Sequence, residues 1–126
     1  MQKDRMMEAI ETSYGCEAEH LWLKYPNAAV FRHPMSGKWF ALLMDVTADK
    51  LGLPGHEVVW TLTVKCDPLM RQSLASEPGF YPAYHMNKSQ WITMVLDGTV
   101  EDARILPLVE LSYDAVAPKP RRSAKA

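Results

Sequence analysis

Val58-Val59-Trp60-Thr61-Leu62-Thr63-Val64-Lys65, running directly into Cys66-Asp67-Pro68, is the stretch that decides the fold. β-branched residues dominate its first eight positions, which suits a pleated strand. Alternation puts Val58, Trp60, Leu62 and Val64 on one face and Val59, Thr61, Thr63 and Lys65 on the other. Asp67-Pro68 then changes the period. An Asp at the N-cap accepts backbone N–H bonds, and Pro fits the first helical position. A helix follows, with Leu69, Met70, Ser73 and Leu74 as its buried stripe, and Pro78-Gly79 ends it.

Upstream, residues 28–33 and 38–46 read as two strands joined by Pro34-Met35-Ser36-Gly37, a turn signal. Phe40 to Met44 is apolar at every position, which predicts a central strand covered on both faces. Residues 47–57 read as a loop tethered by Leu51 and Leu53. Before the hairpin, Met6, Met7, Ile10 and Tyr14 recur at helical spacing over residues 2–14, and Gly15 is the stop. Residues 21–25 fit neither period.

Downstream, residues 80–88 are aromatic and irregular, residues 91–96 form the fourth strand, and Asp97-Gly98 breaks it. The last helix spans residues 100–117, with Thr99 as N-cap. Its stripe is Leu106, Val109, Tyr113 and Val116, with Ile105, Leu108 and Ser112 beside it. Pro107 should kink or divide it. The order helix, three strands, helix, strand, helix predicts an α+β fold with a mainly antiparallel sheet flanked by helices.

The whole chain has 126 residues, 48% apolar and 23% charged, which fits one globular domain over residues 1–117. Its net charge of -1 hides an asymmetry. Residues 118–126 hold Lys119, Arg121, Arg122 and Lys125 and no acid, a basic tail expected to be disordered. Without those four cations the chain carries ten basic against fifteen acidic residues, a net -5. This acidic balance is unlike that of a typical nucleic-acid-binding domain. Cys16 and Cys66 read as free thiols in a reducing cytoplasm. Neither a secretory signal nor a membrane-spanning run is expected.

Four stretches matter together: Gly52-Leu53-Pro54-Gly55, then Val64-Lys65-Cys66-Asp67-Pro68, then Pro82-Ala83-Tyr84-His85-Met86-Asn87-Lys88, and Trp91 with Asp97-Gly98. In this order and spacing they resemble the bacterial MmcQ/YjbR family. Leu111-Ser112-Tyr113 is similar to the family's last helix, and the resemblance spans residues 28–116. The chain departs from the family pattern at Trp60 and Thr63, where Asp and Asn are common, and at Gln90, where a His is common. The resemblance implies a frataxin/CyaY-like fold and a DNA-binding role.

Tyr84, His85, Asn87, Lys88 and Trp91 form the densest polar-aromatic group. A lysine can neutralise a phosphate, aromatic rings can stack on bases, and an Asn can bond a base edge. Lys65 would join from the end of the third strand, and Arg32, His33 and Lys38 from the hairpin. The competing reading packs Tyr84 and Trp91 into the core and turns Asn87 to the backbone. The tail would attract any polyanion in a salt-sensitive way.

Enzyme signatures are weak. His20, His33, His56 and His85 lack metal-ligand spacing, and there is no phosphate loop or nucleophile elbow. A Cys66–His85 nucleophilic pair is conceivable, but Cys66 reads better as a structural thiol. Asp4, Glu8, Glu11, Glu17 and Glu19 are interrupted by Lys3 and Arg5, so an iron-binding acidic surface is not expected. The expectation is a cytoplasmic, cofactor-free, monomeric, non-enzymatic binding protein with DNA as partner. The alternative is a module for a protein or a small anionic ligand that uses the same loop.

Overall fold

The computed structural model describes residues 2–83 and 86–118. Helix α1 (Lys3–Tyr14) precedes strands β1 (Ala29–Arg32), β2 (Trp39–Thr47) and β3 (Val58–Lys65). Helix α2 (Pro68–Leu74), strands β4 (Phe80–Pro82) and β5 (Trp91–Val95) and helix α3 (Asp102–Ala115) follow. The α+β expectation holds. The sheet is antiparallel throughout, in the order β1-β2-β3-β5-β4. The three-residue β4 lay inside the stretch read as irregular. Residues 48–51 form one 3₁₀ turn within the expected loop.

The two faces of β3 divide as their alternation requires. Leu62 and Val64 join Ala29, Phe31, Ala41, Leu43, Ile92 and Met94 on the face covered by helices. Met6 and Ile10 of α1, Leu74 of α2, and Ile105, Leu108 and Val109 of α3 close that core. The opposite face of β2 presents Leu42, Met44 and Val46, next to Val30 of β1. No helix covers it. Trp22, Leu51 and Met86, from connecting segments, pack there instead. The expected cover on both sides of β2 is therefore present, half of it made by loops.

Cross-strand pairing fixes what sits at each end. Phe31 pairs with Ala41, and Arg32 with Trp39. The register slips between Phe31 and Arg32, so Phe40 is an extra residue that turns into the helix-covered core. Buried Ser112 of α3 seals this irregularity. Its hydroxyl donates to the Phe40 carbonyl at 2.6 Å and accepts from the Lys65 N–H at 2.9 Å. One side chain thus ties the last helix to two strands.

The α3 stripe is rotated from expectation. Ile105, Leu108, Val109 and Ser112 are buried, while Leu106 is 40% exposed. Glu101, not Thr99, is the N-cap. Pro107 lies within one continuous helix. The N–H it lacks would have served Ala103, which is exposed, so solvent can take that carbonyl.

Helix α2 starts as predicted. Asp67 Oδ1 accepts from the N–H groups of Leu69 and Met70, each at 3.0 Å. The expected four-residue buried stripe shrinks to Leu74, with Met70 partly covered and Leu69 79% exposed. A helix of seven residues that buries so little depends heavily on its cap. Asp67→Ala should therefore lower stability by about 1 kcal/mol, read from a urea midpoint.

The outer strands are finished differently. Along β1, Glu19 and Val30 exchange both backbone hydrogen bonds, each 3.0 Å. On the far side, β4 ends at Pro82.

Candidate functional site

Antiparallel pairing brings the end of β1, the start of β2, the end of β3 and the start of β5 to one end of the sheet. Arg32, Lys38, Lys65, Asn87, Lys88 and Trp91 all belong to that end. The site residues expected from sequence are thus gathered, apart from Tyr84 and His85, which lie outside the described residues, as does most of the basic tail.

Gathering does not leave them free. Arg32 Nε reaches both oxygens of Glu19 at 3.1 Å, and its Nη1 donates to the Gly37 carbonyl at 3.2 Å. Lys88 Nζ donates to the Ala83 carbonyl at 2.8 Å. Asn87 Oδ1 accepts from the N–H and hydroxyl of Ser89, which shapes the turn into β5. Trp91 is only 8% exposed. Lys38 and Lys65 pair with no carboxylate among the described residues. The structure thus favours the local reading for Asn87 and Trp91.

His33, grouped with the hairpin cations, is corrected to a structural role. It is buried, its Nδ1 accepts from the N–H groups of Met35 and Ser36, and its ring stacks on Tyr113 at 4.2 Å. With Nδ1 taken up by these two N–H groups and the ring buried against Tyr113, His33 shapes the β1–β2 turn. Cys66 is buried, and burial followed by the Asp67 charge raises its thiol above the ordinary range. A thiolate is disfavoured there. Among the described residues no three His, Cys, Asp or Glu groups converge as metal ligands.

The concavity on the helix-free face was not anticipated. Leu42 and Met44 of β2 form its floor, and Trp39, Trp22, Tyr25 and Met86 its walls. Its volume is about 220 Å³. The Trp22 and Trp39 rings stand nearly perpendicular, 81° apart with centroids 5.8 Å from each other. The Arg32 guanidinium lies 5.9 Å from the Trp39 ring centre, so a cation already engages that aromatic wall.

The segment carrying Trp22 and Tyr25 is pinned at several points. His20 Nδ1 donates to the Ala28 carbonyl, the Ala28 N–H reaches Tyr25, and Asn27 donates to Asp45. These bonds place rings from residues 21–25, a stretch with no readable period, against alternate residues of β2. The usable signal was Trp22 and Tyr25 standing just before Pro26-Asn27, since aromatic residues beside a turn need a surface to cover.

Fold and surface together define a small α+β domain with helices on one face of an antiparallel sheet and an aromatic pocket on the other. A family model, YjbR, matches residues 3–115, and the chain belongs to the YjbR family. It is 35% identical over 113 residues to the uncharacterized protein YyaQ of Bacillus subtilis (strain 168), covering 90% of this chain and 96% of that protein. A crystal structure of a Pseudomonas syringae protein is similar, with a TM-score of 0.90 and 39% identity. That match covers 93% of this chain and all of the other. Protein DR2400 of Deinococcus radiodurans, at 22% identity and a TM-score of 0.67 over 93% of this chain and 82% of its own, shares the fold.

Proposed function

We propose that this protein is a non-enzymatic binding module whose site is the aromatic pocket over β2, and that its ligand is a small molecule presenting one ring or a fused pair. The carrying observation is the approximately 220 Å³ concavity walled by Trp22, Tyr25 and Trp39 on the helix-free sheet face. An apolar cavity of about 150 Å³ already holds benzene, so the space is of the right order. Among the described residues few polar groups line it, which suits recognition by shape and stacking. The buried, disfavoured Cys66 thiolate supports the non-enzymatic part of this reading. Among the described residues no helix is long and apolar enough to cross a membrane, and a cytoplasmic monomer is part of the proposal. Helices confined to one face of an antiparallel sheet support the frataxin-like likeness.

A second reading, contact with DNA, has one observation in its favour: Arg32, Lys38, Lys65 and Lys88 reach the same end of the sheet. The engaged Arg32 and Lys88, and the net -5 outside the tail, weigh against it.

One experiment separates the two. The indole N–H NMR signals of Trp22 and Trp39 are followed while benzoate, indole, adenosine monophosphate and a single-stranded oligonucleotide are added in turn. A ring-bearing small molecule should move both signals saturably, with millimolar or tighter affinity, and Trp39→Ala should weaken it about tenfold, roughly 1.4 kcal/mol. If no small probe moves either signal, the pocket reading is lost. DNA contact would appear as a salt-steep affinity that falls in Lys38→Ala and Lys65→Ala.

A further inference from the structure

The aromatic pocket over β2 has one charged end. Leu42 of its floor pairs with Val30 of β1, and the next pair on the same face is Trp39 with Arg32. On the other side of β2, Leu42 pairs with Thr63 of β3, so Thr63 shares the helix-free face. Lys65, two residues further on, shares it too. Ala41 pairs with Val64, so Lys65 stands level with the start of β2, where Trp39 is. Trp39 is thus flanked by one cation from each neighbouring strand.

The two cations are presented differently. Arg32 is held in place: Glu19 takes its Nε, the Gly37 carbonyl takes its Nη1, and Nη2 has no hydrogen-bond partner among the described residues. A guanidinium anchored at two corners is a preorganised donor. Glu19 also offsets its charge. Lys65 bonds Ser112 through its backbone N–H alone, and its ammonium has no carboxylate partner among the described residues. The uncompensated charge beside the pocket is therefore that of Lys65. No carboxylate is among the described residues that line the pocket.

Aromatic walls alone would equally suit a cation. Here the Arg32 guanidinium already lies 5.9 Å from the Trp39 ring centre, and an unpaired ammonium stands on the other side, so a further cation would be repelled. We propose that the ligand of this pocket is an aromatic anion, with its ring against Trp22 and Trp39 and its carboxylate or phosphate at the Trp39 end, held by Arg32 Nη2 and Lys65. This inference rests on the pocket being the binding site. Within it the roles divide. The rings supply most of the contact area, and the charge-assisted bonds select which ring-bearing molecules are retained.

The test uses the full chain and three probes of one shape: benzoate, phenyl phosphate and the neutral benzamide. Each is titrated at low salt while the Trp22 and Trp39 indole N–H signals are followed. The better of the two anions should bind about tenfold more tightly than benzamide, and the difference should shrink at high salt. The order of benzoate and phenyl phosphate identifies the anionic group. Lys65→Met, which keeps the apolar stem and removes a side chain with no carboxylate partner among the described residues, should bring the anion-to-amide ratio close to one. Arg32→Gln should lower it as well. Lys50→Met removes an exposed cation at the far end of β2 and should leave the ratio as in the wild type. Equal binding of benzamide and both anions would overturn the inference and leave the pocket itself standing as the site. Equal losses in Lys50→Met and Lys65→Met would also overturn it, because net charge would then be the cause. Indole signals unmoved by all three probes would remove the pocket reading and this inference together.

Discussion

Gly79→Ala should cost about 3 kcal/mol, well beyond a typical surface substitution. Gly79 joins the end of the α2 region to β4, and its carbonyl accepts the Val95 N–H at 3.1 Å. Its φ of 88° is a left-handed conformation that side chains resist. An added Cβ would also lie 2.6 Å from Val100 Cγ2 and 3.1 Å from Thr99 Cγ2. Backbone strain contributes roughly 1–2 kcal/mol, and overpacking a closed site about 1–3 kcal/mol more. Gly98→Ala is the internal control. Its φ is 92°, but nothing lies within 4 Å of the added atom, so only the strain applies. Urea midpoints of the two variants measure the difference. Equal losses would show that the Val100 contact yields freely and that close packing does not explain Gly79.

Ser112→Ala is the second large effect, expected at about 2–3 kcal/mol. The methyl replacement barely changes volume, so packing is not the cause. It strands the Phe40 carbonyl and the Lys65 N–H, two backbone groups that the irregular pairing near Phe31 leaves dependent on this hydroxyl. Unpaired buried backbone groups are costly, since water cannot replace the lost partner. Faster hydrogen exchange at the Lys65 amide should accompany the loss. Ser73→Ala, at an exposed position of α2, should change stability by less than about 0.5 kcal/mol. If Ser112→Ala matches that control, the link between α3 and the sheet is not energetically important.

Much of the architecture was legible because periodicity and punctuation are local. The alternation in residues 58–65, the Asp67-Pro68 cap and the Gly15 stop each map onto the observed β3, α2 and α1. Errors came where tertiary packing chooses among near-equivalent residues. Leu106 and Ile105 are adjacent and equally apolar, and only contact with the sheet decides that Ile105 turns inward. β4 is three residues long, too short to show an alternation, and exists because β5 offers a partner.

Strand pairing puts Arg32, Lys38, Lys65, Asn87, Lys88 and Trp91 at one end of the sheet, a placement that follows from their order along the strands. What they bond could not be read from their identities. Glu19, thirteen positions before Arg32, neutralises it only because both flank the β1 edge. The pocket escaped notice because its walls come from residues 21–25, 39 and 86, which share no period and meet only after β2 is placed.

The outer strands carry a consequence for how copies of this chain can meet. An unpaired strand edge is a template on which another chain can add a strand and begin polymerising. Here the Glu19–Val30 exchange occupies outward-facing bonding groups of β1, and the Arg32–Glu19 ion pair holds that segment in place. The opposite edge is too short to template a long strand, and Pro82 offers no N–H there. Sheet extension is therefore blunted on both sides. Association with another chain is directed instead to side-chain surfaces, where the choice of partner rests on shape and charge.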